Sequence, residues 1–217
     1  GTDCRRRRTV GRGADRRIAE TMKERIIGCT LELLGQIGFR RFTMDMVASE
    51  LRISKRTLYL YFTSKEQLLD TCLERWLLRK RLLVPTGGIL IDDLCALYAG
   101  IRKVDLRRVM HCSRELRQCC LPVYRLFQER LFNYADACGM RAEQDAGTGY
   151  LCRDVTRDTV SAVVSDFLIR LFDSVEEHPL RRGSPSSPEI LIVYTRGLCT
   201  IKGRAYLDRR LKTLSRT

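Results

Sequence analysis

Histidine is nearly absent from this chain, with two in 217 residues, and tryptophan occurs once. No nucleophile is set beside a base in the pattern, so acid–base or covalent catalysis has no evident machinery. The expectation is a protein that is not an enzyme. Also missing is any apolar run near the roughly 18 residues that a membrane helix needs. The first twenty residues lack the apolar stretch of a secretory signal. The expected setting is cytoplasmic, with no membrane partner. An alternating strand pattern and an internal repeat are likewise missing. Acidic residues are short as well: 26 Asp plus Glu stand against 40 Lys plus Arg, for a net charge of +14. Such a balance points to a polyanionic partner, nucleic acid first and anionic membrane second.

The excess charge is concentrated. Residues 1–66 carry 15 basic and 8 acidic side chains, a net +7 that is half the total in under a third of the chain. Cysteine, by contrast, is plentiful, with ten. These fall at helical apolar positions of a long chain, which reads as reduced core thiols, with a redox-sensing thiol as the alternative. His111, Cys112, Cys119 and Cys120 suggest a metal site. On one helix, however, Cys112 and Cys119 lie about 10 Å apart, and one zinc with sulfur bonds of about 2.3 Å does not span that. Neither a metal nor a cofactor is expected.

Residues 1–20 hold seven arginines and little to pack. They read as a basic disordered arm, either without a role or with its arginines entering a neighbouring minor groove. From Thr21 the periodicity is helical. Ile26, Ile27, Leu31, Leu34 and Ile37 share a face, and Gly38 ends that helix. Thr43 is the N-cap expected for a helix over Met44–Leu51, and Ser54 the N-cap of the next. Ser64, with Gln67 three residues on, has the spacing of a capping box and opens a helix expected to reach Leu83. Beyond Gly88 the expected helices are Ile89–Val104, Asp105–Cys120, Pro122–Gly139, Thr156–Glu177 and Pro188–Leu211. The fold class is therefore all-α. A three-helix head over residues 21–66 is joined to a larger helical domain over 67–217, about nine helices in all.

Two short helices joined by a tight turn at Arg52–Ile53 make a helix-turn-helix. In that motif the second helix enters the major groove of double-stranded DNA, its first residues at the base edges. Lys55, Arg56 and Thr57 occupy those positions, and a basic side chain there can donate to guanine O6 and N7. Tyr59 has a hydroxyl that can donate to phosphate. Tyr61 has two readings, phosphate contact or packing. Lys65 adds charge at the start of the following helix.

The residues Gly38, Phe39, Thr43, Val47, Ala48, Ser54, Thr57, Leu58, Tyr59, Phe62, Ser64, Lys65, Gln67 and Leu68 together resemble the DNA-binding domain of the TetR/AcrR family of bacterial transcription regulators. The resemblance covers about fifty residues of the 217. It implies a sequence-specific transcription regulator, a repressor released from its operator by a small-molecule effector. It places Thr43, Arg52, Ser54, Lys55, Arg56, Thr57, Tyr59, Tyr61 and Lys65 at the DNA. The family usually has glycine where this chain has Arg52, and a left-handed residue there costs about 1 kcal/mol. The alternative function is a sensor acting through protein partners, its DNA head degenerate at Arg52.

Tyr124, Phe127, Leu131, Tyr134 and Cys138 form a stripe with 3-4-3-4 spacing. It reads either as core alone or, as the resemblance implies, as a wall of the effector pocket, together with Tyr98. Val164, Phe167, Leu168 and Leu171 line a wide apolar face, and Val193, Gly197 and Ile201 line another. Faces that wide suggest burial on two sides and hence a homodimer.

Overall fold

A computed structural model describes residues 6–172 and 187–214, with side chains from residue 21 onward. Among the described residues the chain forms ten helices and no strand: α1 (Arg6–Arg41), α2 (Met44–Glu50), α3 (Lys55–Tyr61), α4 (Lys65–Lys80), α5 (Leu90–Ile101), α6 (Leu106–Cys119), α7 (Leu121–Gln144), α8 (Arg157–Phe172), α9 (Glu189–Leu198) and α10 (Ile201–Leu214). None of these helices is long and apolar enough to cross a membrane. Two compact units divide between Cys72 and Leu73, within α4.

In the first unit α1 packs on α2, and α2 on α3. Helix α1 begins at Arg6, so residues 6–20 are helical where a disordered arm is expected. The stretch contains no proline, and its arginines and alanines favour a helix while Gly11 and Gly13 oppose it. The arm's first five residues, Gly1–Arg5, lie outside the described residues. Gly38 breaks the helix as expected, with φ 76° and ψ 177°, a conformation open essentially to glycine alone. The core of the unit is Ile26, Ile27, Phe42, Val47, Leu58, Phe62, Leu68 and Leu69, each at most 1% exposed.

In the second unit α7 and α8 run against each other, with α6 beside both and α5 against α7, α9 and α10. Several boundaries differ from expectation. Helix α4 stops at Lys80 rather than Leu83, because Arg81 turns left-handed (φ 53°) and the amides of Arg81 and Leu82 bond back to Leu78 and Leu77. The expected helix Pro188–Leu211 is two helices. Between them Leu151 and Cys199 form a bridge, the Cys152 amide donates to Leu198 and the Thr200 amide to Tyr150. The Thr200 hydroxyl then accepts from the Gly203 amide at 3.2 Å and caps α10. This approach needs a glycine at 203: a β-carbon there would lie 2.1 Å from the Tyr150 carbonyl oxygen. The expected end of helix Thr156–Glu177, from Asp173, lies outside the described residues.

Candidate nucleic-acid interface

The turn between α2 and α3 is a Schellman motif. The Ile53 amide donates to Ala48 at 3.0 Å and the Arg52 amide to Ser49 at 3.1 Å. That pattern requires a left-handed residue at position 52, and Arg52 supplies it with φ 52°. The arginine therefore adopts the glycine-like conformation and the turn keeps its geometry.

Both helices of the motif are capped. The Thr43 hydroxyl accepts from the Met46 amide at 3.4 Å, and Ser54 Oγ accepts from the Thr57 amide at 2.9 Å. Ser54 and Thr57 also share a hydroxyl–hydroxyl bond of 2.8 Å. Ser54 and Thr57 are thus committed to the start of α3, and Thr57 is half-buried. Leu58 and Phe62 anchor α3, both fully buried, and Lys23 Nζ stands 5.5 Å from the Phe62 ring centre. The opposite side of α3 is open. Lys55, Arg56 and Tyr59 are exposed, and Leu60 is 77% exposed. Tyr61 is half-buried.

Two side chains have partners that the spacing does not reveal. Lys55 Nζ lies 2.7 Å from Asp45 Oδ2, across from the first turn of α2. The hydrogen bond to Asp45 and its charge raise the Lys55 pKa. Lys65 Nζ donates to the Phe42 carbonyl at 2.7 Å and stands 5.6 Å from the Phe42 ring centre. Lys65, expected as a phosphate contact, therefore ties the start of α4 to the α1–α2 connection. Ser64 Oγ caps α4 through the Gln67 amide at 3.1 Å. The expected capping box is displaced by one residue: Gln67 Oε1 accepts from the Thr63 amide at 2.7 Å. Asp45 and Leu60 carry no mark in the sequence of their place at this surface. An acid in the first turn of α2 reads as a dipole partner, and a leucine in an apolar run reads as core.

In the second unit, Phe127, Leu131 and Tyr134 are at most 4% exposed and belong to its main core, against which Tyr98 packs half-buried. The Tyr134 hydroxyl donates to the Asp93 carbonyl at 3.2 Å, and Gln128 Nε2 donates to the Tyr124 hydroxyl at 3.2 Å. Asp93 itself accepts from the amide and hydroxyl of Thr86, both at 2.6 Å. The two faces expected at a dimer interface differ in the structure. Val164, Phe167, Leu168 and Leu171, expected to meet a partner, are sealed in this same core at no more than 2% exposure. Their helix is flanked by α7 and α6, which cover the face. Val193, at 65%, and Ile201, at 88%, are exposed with Gly197 between them. His111 Nε2 stands 3.7 Å from Glu115 Oε1, and Cys120 is buried.

A capped helix-turn-helix whose second helix shows a basic face, in an all-α chain, defines the class: helix-turn-helix proteins with a helical second unit. Residues 26–72 match the family model of bacterial regulatory proteins, tetR family. Over 56 residues the chain is 45% identical to an uncharacterised HTH-type transcriptional regulator, YvaF, of Bacillus subtilis (strain 168). That match takes in 26% of this chain and spans only 29% of the relative's length. The fold is similar to that of the TetR family protein CprB from Streptomyces coelicolor, solved in complex with its biological operator sequence. The TM-score is 0.52 at 18% identity, covering 92% of this chain and 99% of that one. It is also similar to a gamma-butyrolactone receptor described as ArpA-like, with a TM-score of 0.56 at 17% identity, covering 91% and 98% of the two chains.

Proposed function

We propose that the protein is a sequence-specific DNA-binding transcription regulator, a repressor that leaves its operator when a small molecule binds the second unit. The observation that carries this reading is the two-sided character of α3. Leu58 and Phe62 fix it in the head, while Lys55, Arg56 and Tyr59 stand outward at its start and middle. Helices presented in this way place their first residues at base edges. The alternative, a sensor with a degenerate head, required Arg52 to deform the turn; the left-handed arginine within an intact Schellman motif removes that support.

The active species is a homodimer that sets two α3 helices in successive major grooves. The residues offered for pairing are Ile190, Val193, Tyr194 and Gly197 of α9 with Ile201 at the start of α10, apart from Gly197 all apolar side chains more than a third exposed. The effector site lies among the helices of the second unit, with Tyr98 and Tyr124 at its edge. Phe127, Leu131 and Tyr134 must part for a ligand to enter, since they are closed against each other's surroundings. An effector with higher affinity for the non-binding state shifts the population off DNA.

Selection of an operator from random duplexes is the test. Arg56→Ala then costs about 1–3 kcal/mol on that operator and relaxes preference at one base pair per half-site. Selection that enriches no sequence, or alanine at Lys55, Arg56 and Tyr59 together leaving affinity unchanged, overturns the proposal.

A further inference from the structure

We infer that Asp45 determines DNA specificity without touching DNA: its carboxylate holds the Lys55 ammonium so that Lys55 reads a guanine instead of settling on whichever phosphate it meets. This rests on the proposal that α3 reads DNA.

The geometry is direct. Asp45 stands in the first turn of α2, Lys55 opens α3, and Oδ2 and Nζ are 2.7 Å apart. Both side chains are more than half exposed, at 61% and 65%. Water and salt screen such a pair, so it contributes little to folding. Thr43 and Ser54 already fix the two helix ends through their own caps. The consequence of the pair therefore falls on what the surface meets.

An ammonium has three donors. With one on Asp45, two remain, which is the number that guanine O6 and N7 accept in the major groove. The lysine stem, otherwise free to sample many rotamers, is held in one region over the start of α3. Phosphate is treated differently. A phosphate that approaches Lys55 also approaches the Asp45 carboxylate, and two anions repel. Every non-specific complex through Lys55 carries that repulsion, or loses the pair. A guanine edge has partial charges only and is spared most of it. Discrimination of this kind comes from disfavouring the wrong partner as much as from binding the right one.

The experiment uses the full chain, the selected operator and a scrambled duplex, each at several salt concentrations. Asp45→Asn keeps the shape and removes the charge. Its affinity for scrambled duplex is expected to rise several-fold, with the operator-to-scrambled ratio falling by a similar factor. The slope of log affinity against log salt on scrambled duplex steepens by about one unit per half-site, because Lys55 now neutralises a phosphate. The melting temperature falls by no more than a few degrees, since the charge also sits at the N-terminus of α2, and Asp45→Glu, which restores the charge, restores part of the ratio. An unchanged ratio in Asp45→Asn overturns the inference. So does a larger fall in melting temperature with equal loss on both duplexes, which marks a structural role. A wild-type chain that fails to discriminate between the duplexes overturns the DNA-reading proposal itself, and this inference with it.

Discussion

Arg52 and Arg81 stand where helices most often place glycine. Both are left-handed, and both close a Schellman motif with the same pair of backbone bonds. An L-residue there costs about 1 kcal/mol relative to glycine. Arg52→Gly should therefore leave the head folded and raise its stability by up to about 1 kcal/mol in denaturant unfolding. If Arg52 lies over phosphate, the same variant binds DNA less tightly and with a shallower salt dependence. Lys65 presents the opposite case. Its bond to the Phe42 carbonyl makes it part of the head's structure. Lys65→Ala should lower stability by about 1 kcal/mol, measurable by denaturant titration without DNA. Any change in its salt slope must then be read at equal folded fraction. Thr43, Ser54 and Leu58 were legible from their spacing, since caps and core leucines follow local rules. The Asp45–Lys55 pair was not, because it joins residues on two helices whose approach no local pattern specifies.

At the scale of the element, α8 and α9 separate two kinds of apolar face that look alike in sequence. The face of α8 is sealed by α6 and α7; that of α9 stands open. Phe167→Glu should unfold the second unit, because it buries an unpaired charge at a site 2% exposed. Val193→Glu should instead give a folded monomer, because that side chain is 65% exposed. Circular dichroism and sedimentation velocity separate the two outcomes. A wild-type chain that sediments as a monomer at micromolar concentration counts against the dimer. The break between α9 and α10 also belongs to this scale. The period of Ile190, Val193, Gly197, Ile201 and Ala205 carries on across Cys199 and Thr200, yet the chain there bonds to Tyr150 and Cys152. Helical periodicity reports which side chains are apolar; it carries no signal for a competing backbone partner some fifty residues away.

For the whole molecule, buried thiols contribute to behaviour in alkali. Burial pushes the Cys95 and Cys138 thiols up to about 12 and Cys199 up to about 11, from an ordinary 9.0. Folded pKa values above the unfolded ones mean that the native state keeps protons which the unfolded state releases. Their contribution to stability is complete below pH 9 and is lost as pH rises through the folded values. Above about pH 9 the fold should therefore lose stability as pH rises, by at most about 1.4 kcal/mol per pH unit for each thiol. Urea unfolding across that range measures the slope, and Cys138→Ala should make it shallower by one thiol's share.

The sequence by itself determined the all-α class, the helix-turn-helix, its caps and its outward basic residues. Each of these depends on neighbours within a few positions: a cap on the next three residues, a buried stripe on a period of 3.6. Only the tertiary structure decided which apolar faces stay open, which of the basic side chains already have a partner, and where a long apolar period is cut in two. Those outcomes depend on contacts between residues distant in the chain, and a residue's own type and spacing do not say which surface will cover it.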